Sequence, residues 1–430
     1  MPTASLTQSV PPAHLANHTR HIIGLRLLPF LFLLYIVNYI DRTNLAYAAL
    51  EMSHDLGFSD RVFGLGAGIF FVGYVALQVP GALLVERWSA RRAIGLIMVV
   101  WGSLTALTGL VQTAGQLYLA RFVLGAAEAG FFPGVVIYLS HWFIDEDRAK
   151  AGSNFMAAIP LSFIIGSPLA GWILGRHWLG FDGWRWLFVL EGLPAVLFGA
   201  VAFFYLSDRP NQAAWLTPEQ QHWVMTKLEE EKPAQGHSTS VWDALRSPTV
   251  LLLSLATVLE YCVGYSFIFW LPTMLKRMTG LSNAQVGWLG AVPYVAALIA
   301  MQLNGWHSDK MQERRWHASA PVLGAAIALC GLIVLPRTTP VTIILFCFVC
   351  ASFAFLPVFW AMPTEMLSES AAATAVGLIN GVGSIAGFAG PYVFGYLNTR
   401  TGSYNYGFAA MAACALASVV LMLNIPKPDA

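Results

Sequence analysis

Asp41, Arg42, Arg121, Glu128, Glu191 and Glu260 stand inside stretches that are otherwise apolar. An ionised side chain at the centre of a bilayer costs about 2.5–3.5 kcal/mol on insertion scales, so each should be paired or face a wet cavity. Arg121 and Glu128 are seven residues apart, which on a helix is about two turns and places both on one strip, with Cα atoms ~10 Å apart along the axis. Counted at about 1.5 Å per residue from the outer boundary, Asp41 lies ~10 Å deep, Arg121 ~6 Å and Glu128 ~16 Å, near the midplane. Asp41 and Arg121 can meet if their helices adjoin, whereas Arg42, about 100° further round, need not share that partner. Such a set suits one kind of chemistry: a carboxyl holds a proton while a guanidinium grips a carboxylate with two parallel hydrogen bonds. When an incoming anion claims the guanidinium, the acid that loses its partner should take up a proton, which links anion and proton movement. The alternative is a static buried ion pair that steadies the helices. Glu260, beside Tyr261 and with no base in its apolar stretch, reads either as a second proton site or as a neutral, hydrogen-bonded structural acid. Glu191 reads as a brace for Trp184 or Arg185.

The elements that must hold these groups follow from composition. Of 430 residues 57% are hydrophobic and 11% charged, against about a quarter charged in a soluble domain. Windows of about 20 apolar residues give spans near 26–49, 62–84, 93–112, 117–141, 151–175 and 185–206, then a polar stretch, then 248–271, 285–304, 319–337, 341–364, 372–397 and 405–425. The predicted fold is therefore an all-α integral membrane protein of 12 transmembrane helices in two six-helix bundles. Its predicted organisation is a tail over 1–20, bundles over 21–206 and 248–430, and a linker over 207–247. Within the linker, Thr217-Pro218-Glu219-Gln220 reads as an N-cap, a first-turn proline and a capping-box glutamine, so a short helix should run to about Glu231. With the N-terminus inside, 15 of the 24 Lys and Arg residues fall on the inner side and seven outside, which predicts cytoplasmic termini; the expected location is a bacterial inner membrane. Asp41 and Arg42 within the first apolar run argue for a retained span rather than a cleaved leader.

Several chemistries are excluded. A net charge of +1 gives no electrostatic footprint for nucleic acid. Gly64-Leu65-Gly66-Ala67-Gly68 opens an apolar span and no Gly-Lys pair occurs in the chain, so no nucleotide loop is present and ATP is not the energy source. No HExxH, nucleophile elbow or metal cluster appears, and the five cysteines sit in apolar stretches as packing residues. An enzyme, a cofactor and a metal are not expected; the energy source would be a proton gradient.

Between spans 2 and 3 the chain reads Glu86-Arg87-Trp88-Ser89-Ala90-Arg91-Arg92, and between spans 8 and 9 Asp309-Lys310-Met311-Gln312-Glu313-Arg314-Arg315. Acid, base, then paired bases recur at one spacing in the equivalent loop of each half, the mark of a duplicated six-helix unit. A carboxylate and arginines across a tight loop can latch neighbouring helices on the cytoplasmic side. With these loops the chain resembles the major facilitator superfamily, although Glu86 stands where Asp is usual and Ser89 and Gln312 where Gly is usual. Asn38 to Asn44, Arg121 to Gly134, Gly183 to Phe188 with Glu191-Gly192, Pro357 to Trp360 with Pro363, and Gly377 to Pro391 resemble its anion:cation symporter branch, the tartrate-like carriers above all. That resemblance implies proton and anion roles for Asp41, Arg42, Arg121 and Glu128, and organic anions such as tartrate, sugar acids or aromatic carboxylates as cargo.

Alternating-access carriers hold their ligand near mid-bilayer between the halves. Tyr74 and the glycine-flanked Asn380 fall near that depth, and Tyr39 and Trp360 are further candidates. The expected function is proton-coupled import of a small organic anion, with Asp41 and Glu128 handling protons and Arg42 and Arg121 the carboxylate. The expected partners are the carboxylate, H⁺ and the lipid bilayer, and the expected state is a monomer. An uncoupled or sodium-driven carrier, or a membrane receptor or enzyme without transport, remains open at this point.

Overall fold

The computed structural model describes residues 13–231, 246–366 and 369–425. Positions 1–12 of the predicted tail and 232–245 of the predicted linker lie outside the described residues. Among the described residues, twelve helices are long and apolar enough to cross a membrane: His14–Asp55, Asp60–Arg87, Ala90–Thr108, Ala114–Ser140, Ala157–Leu174, Gly183–Tyr205, Pro248–Thr279, Asn283–Met311, Arg315–Val334, Thr339–Pro363, Thr374–Thr401 and Tyr404–Leu423. We number them spans 1 to 12. Their starts are set by capping: Ser59, Ser89, Thr113, Ser247 and Ser282 each accept a first-turn backbone N–H at the head of spans 2, 3, 4, 7 and 8. The linker helix Pro218–Glu230 carries the predicted capping box between Thr217 and Gln220. Unpredicted is a small hairpin between spans 5 and 6, pairing His177–Trp178 with Phe181–Asp182.

Without a hydrophobic drive between helices in lipid, small residues and close backbones do the packing. Spans 3 and 6 meet where a Cβ on Gly102 would lie 2.6 Å from the carbonyl oxygen of Gly192, and one on Gly95 2.9 Å from that of Gly199. Gly102→Val should therefore overpack this crossing and cost about 1–3 kcal/mol, read as a lowered melting temperature in detergent; an unchanged value would mean that the crossing has slack.

Two breaks position the site. Span 4 is interrupted directly after Glu128, with Ala114–Glu128 and Phe131–Ser140 as separate helical segments; Pro133 lacks the N–H that would continue the ladder. Span 10, the fourth of its half, is interrupted at the equivalent place by a 3₁₀ turn, Ala351–Ala354. Interrupted segments at corresponding positions of two repeats are where irregular backbone lines a cavity.

The halves touch through spans 2 and 11, 5 and 8, and 1 and 7. Towards the end remote from the termini the contact is a glycine seam. A Cβ on Gly64 would lie 2.6 Å from the Pro391 oxygen, one on Gly68 2.8 Å from the Phe388 oxygen, and one on Gly287 2.7 Å from the Ser167 oxygen. The polar contacts between halves cluster at that same end. Arg277 donates to both oxygens of Asp60 at 2.7 and 2.8 Å, Asn398 donates to Asp60, and Asn283 donates to Glu51 at 2.6 Å. Lys276 reaches the Leu50 carbonyl at 3.3 Å.

Candidate functional site

Between the halves lies a cavity of about 660 Å³. Span 1 contributes Asn38, Tyr39 and Arg42 to its wall, span 2 Tyr74 and Gln78, and span 4 Glu128. The opposite wall is built by Glu260, Tyr261 and Tyr265 of span 7, Trp360 of span 10, and Asn380 and Ser384 of span 11. From Arg42 the cavity runs towards the terminus end, past Gln78, Val136 and Ile137.

Arg42 and Glu128 form an ion pair across spans 1 and 4, with 9% and 1% of their surfaces exposed. The guanidinium carbon of Arg42 also lies 4.9 Å from the Tyr39 ring centroid and 5.4 Å from that of Tyr74, a cation–π arrangement that holds the fork at the wall. A second oxygen of Glu128 has no hydrogen bond. This is a cation and an acid that face one space and satisfy each other only in part.

Asp41 and Arg121 are placed differently. Both are fully buried and neither lines the cavity. The predicted meeting of the two is not a hydrogen bond: Asp41 instead accepts from Asn44 at 3.0 Å and from Thr105 at 2.9 Å. Arg121 lies over the Phe70 ring at 4.8 Å, and its three guanidinium nitrogens are without a hydrogen bond. It stands within electrostatic reach of Asp41, Glu128 and Arg42. An unpaired buried guanidinium beside two acids is a group with a partner to gain.

Tyr39, Tyr74, Asn380 and Trp360 all face the cavity as the sequence suggested. Glu260 also faces it and accepts a hydrogen bond from Ser352 at 3.4 Å. Glu191 braces neither of its expected partners, because the Trp184 indole donates to Asp55 at 3.1 Å and Arg185 to the Gly109 carbonyl at 2.8 Å. Sequence reasoning passed over Gln78, Tyr265, Ser352 and Ser384. For Ser352 a signal existed in hindsight: a hydroxyl in an apolar run, at the level where the other half is broken.

The repeated loops carry ion pairs at equivalent arginines. Arg314 binds Asp309 at 2.5 Å and Glu365, at the end of span 10, at 2.7 Å. Arg91 faces Asp208, just past span 6, at 3.6 Å, and Ser89 donates to the same carboxylate at 2.8 Å. The acid holding Arg91 is thus Asp208 and not Glu86, which is exposed. Lys310 lies over the Trp306 ring at 5.2 Å. Burial works against the charge of Glu313, but N–H groups of Trp316 and His317 and the His317 ring outweigh it and hold this carboxyl below its usual range.

Comparison with known proteins agrees with this architecture. A family model described as Major Facilitator Superfamily matches residues 31–391 and 253–430. The chain is 41% identical over 410 residues to a protein of Agrobacterium vitis named "Putative tartrate transporter", with 94% of each chain covered. It is 36% identical to "Inner membrane transport protein RhmT" of Escherichia coli, with 93% of each covered. Among solved structures it is similar to a bacterial homologue of the human lysosomal transporter Spinster, at a TM-score of 0.75 and 20% identity, covering 92% of this chain and 94% of that one. Twelve spans in two halves, a loop motif repeated between them, a cavity at their interface that holds a buried ion pair and these matches lead to one assignment: the chain belongs to the major facilitator superfamily and is a membrane transporter, not an enzyme.

Proposed function

We propose that this transporter is a proton-coupled symporter that imports a small organic anion by alternating access across the bacterial inner membrane. The observation that carries the reading is the Arg42–Glu128 pair at the cavity wall. An anion that enters and takes the Arg42 fork strips Glu128 of its counter-charge. A lone carboxylate left in that low-dielectric setting costs several kcal/mol, and taking up a proton removes the cost. Anion and proton then cross together, because each is disfavoured without the other. Asp41 is a second proton site behind the wall. Arg121, unpaired and near both acids, helps with the carboxylate and can take an acid that Arg42 has left. Hydroxyls and amides from Tyr39, Tyr74 and Asn380 suit a hydroxylated carboxylate such as tartrate or a sugar acid, and the name of the Agrobacterium vitis relative supports that choice.

The excess of Lys and Arg on the terminus side supports cytoplasmic termini, and with that orientation the cavity opens inward and the glycine seam closes the outer end. A monomer is the proposed state. The test is tartrate uptake into proteoliposomes under an imposed pH gradient, with and without an uncoupler. Accumulation should need the gradient and collapse with the uncoupler; accumulation that follows a sodium gradient instead, or mere equilibration, would replace the proton by another driving term. A wider screen with aldonates, uronates and aromatic acids fixes the cargo.

In this reading the Asp60–Arg277 pair closes the outer end. Arg277→Ala should favour the outward-open state, so that a thiol placed by Tyr265→Cys reacts several-fold faster with a membrane-impermeant reagent applied from outside. Equal rates would show that the glycine seam alone keeps that end shut.

A further inference from the structure

The mechanism just given leaves one acid of the cavity without work. Glu260 is 2% exposed and has Ser352, itself 1% exposed, as its hydrogen-bond donor. Among the described residues lining the cavity, Arg42 is the only cation, and it is already engaged by Glu128. The position of Glu260 is not arbitrary. Arg42 and Glu128 join the first and fourth spans of the N-terminal half at the break in span 4. Glu260 and Ser352 join the first and fourth spans of the C-terminal half at the break in span 10. Arg42, Glu128 and Glu260 face one cavity, and Ser352 lies buried behind Glu260.

We propose that Glu260, positioned by Ser352 behind it, forms the second half of the substrate site, receiving the end of the anion remote from Arg42 and deciding which ends are admitted. The proposal rests on the reading that a substrate carboxylate binds Arg42. A hydroxyl at the far end meets no condition, because a carboxyl group accepts its O–H in either protonation state. A second carboxylate does meet one. Two carboxyl groups in contact cannot both be ionised, so it enters only if it shares one proton with Glu260. Hydroxylated monocarboxylates therefore bind whether or not Glu260 carries its proton, and dicarboxylates bind only when it does.

Among the described residues no other group near Glu260 supplies the missing positive charge. On its own helix lie Tyr261, Cys262 and Tyr265; span 11, packed against it, brings the uncharged Asn380 and Ser384 to the cavity, and the packed spans 8, 10 and 12 carry Tyr294, Cys350 and Cys414. Across the cavity stand Tyr39, Tyr74, Glu128 and Arg42, of which only the last is a cation.

The test uses the purified full chain and two ligands on one carbon skeleton: tartrate, and threonate, in which a hydroxymethyl group replaces one carboxylate. Binding of both is measured by calorimetry from pH 5.5 to 9.5, where both ligands are ionised in water. Protonation of Glu128 or Asp41 affects the two equally and cancels in the ratio of their affinities. The tartrate-to-threonate ratio should be flat while free Glu260 carries its proton and fall by up to about tenfold per pH unit above the pH at which it ionises, the slope for one proton taken up with tartrate. In Glu260→Gln the ratio should be flat with pH, and an unchanged melting temperature in detergent shows that the variant is folded. A flat ratio in the parent, an unchanged slope in Glu260→Gln, or loss of both ligands in that variant overturns the proposal. A parent chain that binds neither anion instead removes the carboxylate reading itself, and this inference with it.

Discussion

Glu128→Gln is expected to abolish accumulation driven by a pH gradient while leaving exchange of preloaded substrate measurable. Glutamine keeps the size of the acid and can still accept a hydrogen bond from Arg42, but it cannot pick up or release a proton. The carrier would then cycle between its states with anion bound and be unable to tie that cycle to proton flow. Net uptake under an inward gradient should drop to the level of an uncoupler control, a loss of one to two orders of magnitude, while counterflow stays within a few-fold of the parent. The two assays run on the same proteoliposomes separate coupling from folding. Gradient-driven uptake that survives intact would remove Glu128 from the proton pathway and leave its pairing with Arg42 as a structural contact.

The second large effect falls on Arg42. Arg42→Lys retains the positive charge that Glu128 needs, so the fold should hold. What it loses is the planar fork, which matches a carboxylate with two parallel hydrogen bonds and stacks on Tyr39 and Tyr74 at 4.9 and 5.4 Å. Losing one charge-assisted hydrogen bond and the fixed geometry is worth about 2 kcal/mol, or roughly 30-fold in affinity. Calorimetric titration with tartrate measures it directly. Equal affinities for parent and variant would move the anion to another cation, and Arg121, buried with no hydrogen bond, is the nearest one.

The membrane spans were legible because length and hydropathy alone decide them, and the structure moves their ends by only a few residues except where helices run on past the apolar core, as spans 1 and 7 do. The residues facing the cavity were legible too, since polar groups in apolar helices have few places to go. Arg42, Glu128, Tyr39, Tyr74, Asn380, Trp360 and Glu260 all came out on its walls. Which acid meets which base was not legible. Asp41 and Arg42 are adjacent in sequence, and the rotation of one helix about its axis decides which of them looks into the cavity and which looks back at Thr105. A linear pattern fixes the spacing within a helix and says nothing of that rotation. The loop repeat behaved likewise: it pointed to Arg91 and Arg314, but their partners Asp208 and Glu365 sit far along the chain, where only the folded bundle brings them close.

The glycine seam has a further consequence for how the carrier moves. Where Gly64, Gly68 and Gly287 press against main-chain oxygens of the other half, there are no long side chains that could stretch and keep contact as the halves part. Contact of this kind is lost over a fraction of an ångström, along the whole seam at once. Once Arg277 has let go of Asp60, the gate at that end should therefore behave like a snap fastener, either shut or sprung, and a half-open carrier through which a coupling ion could slip unaccompanied would be too short-lived to drain a gradient.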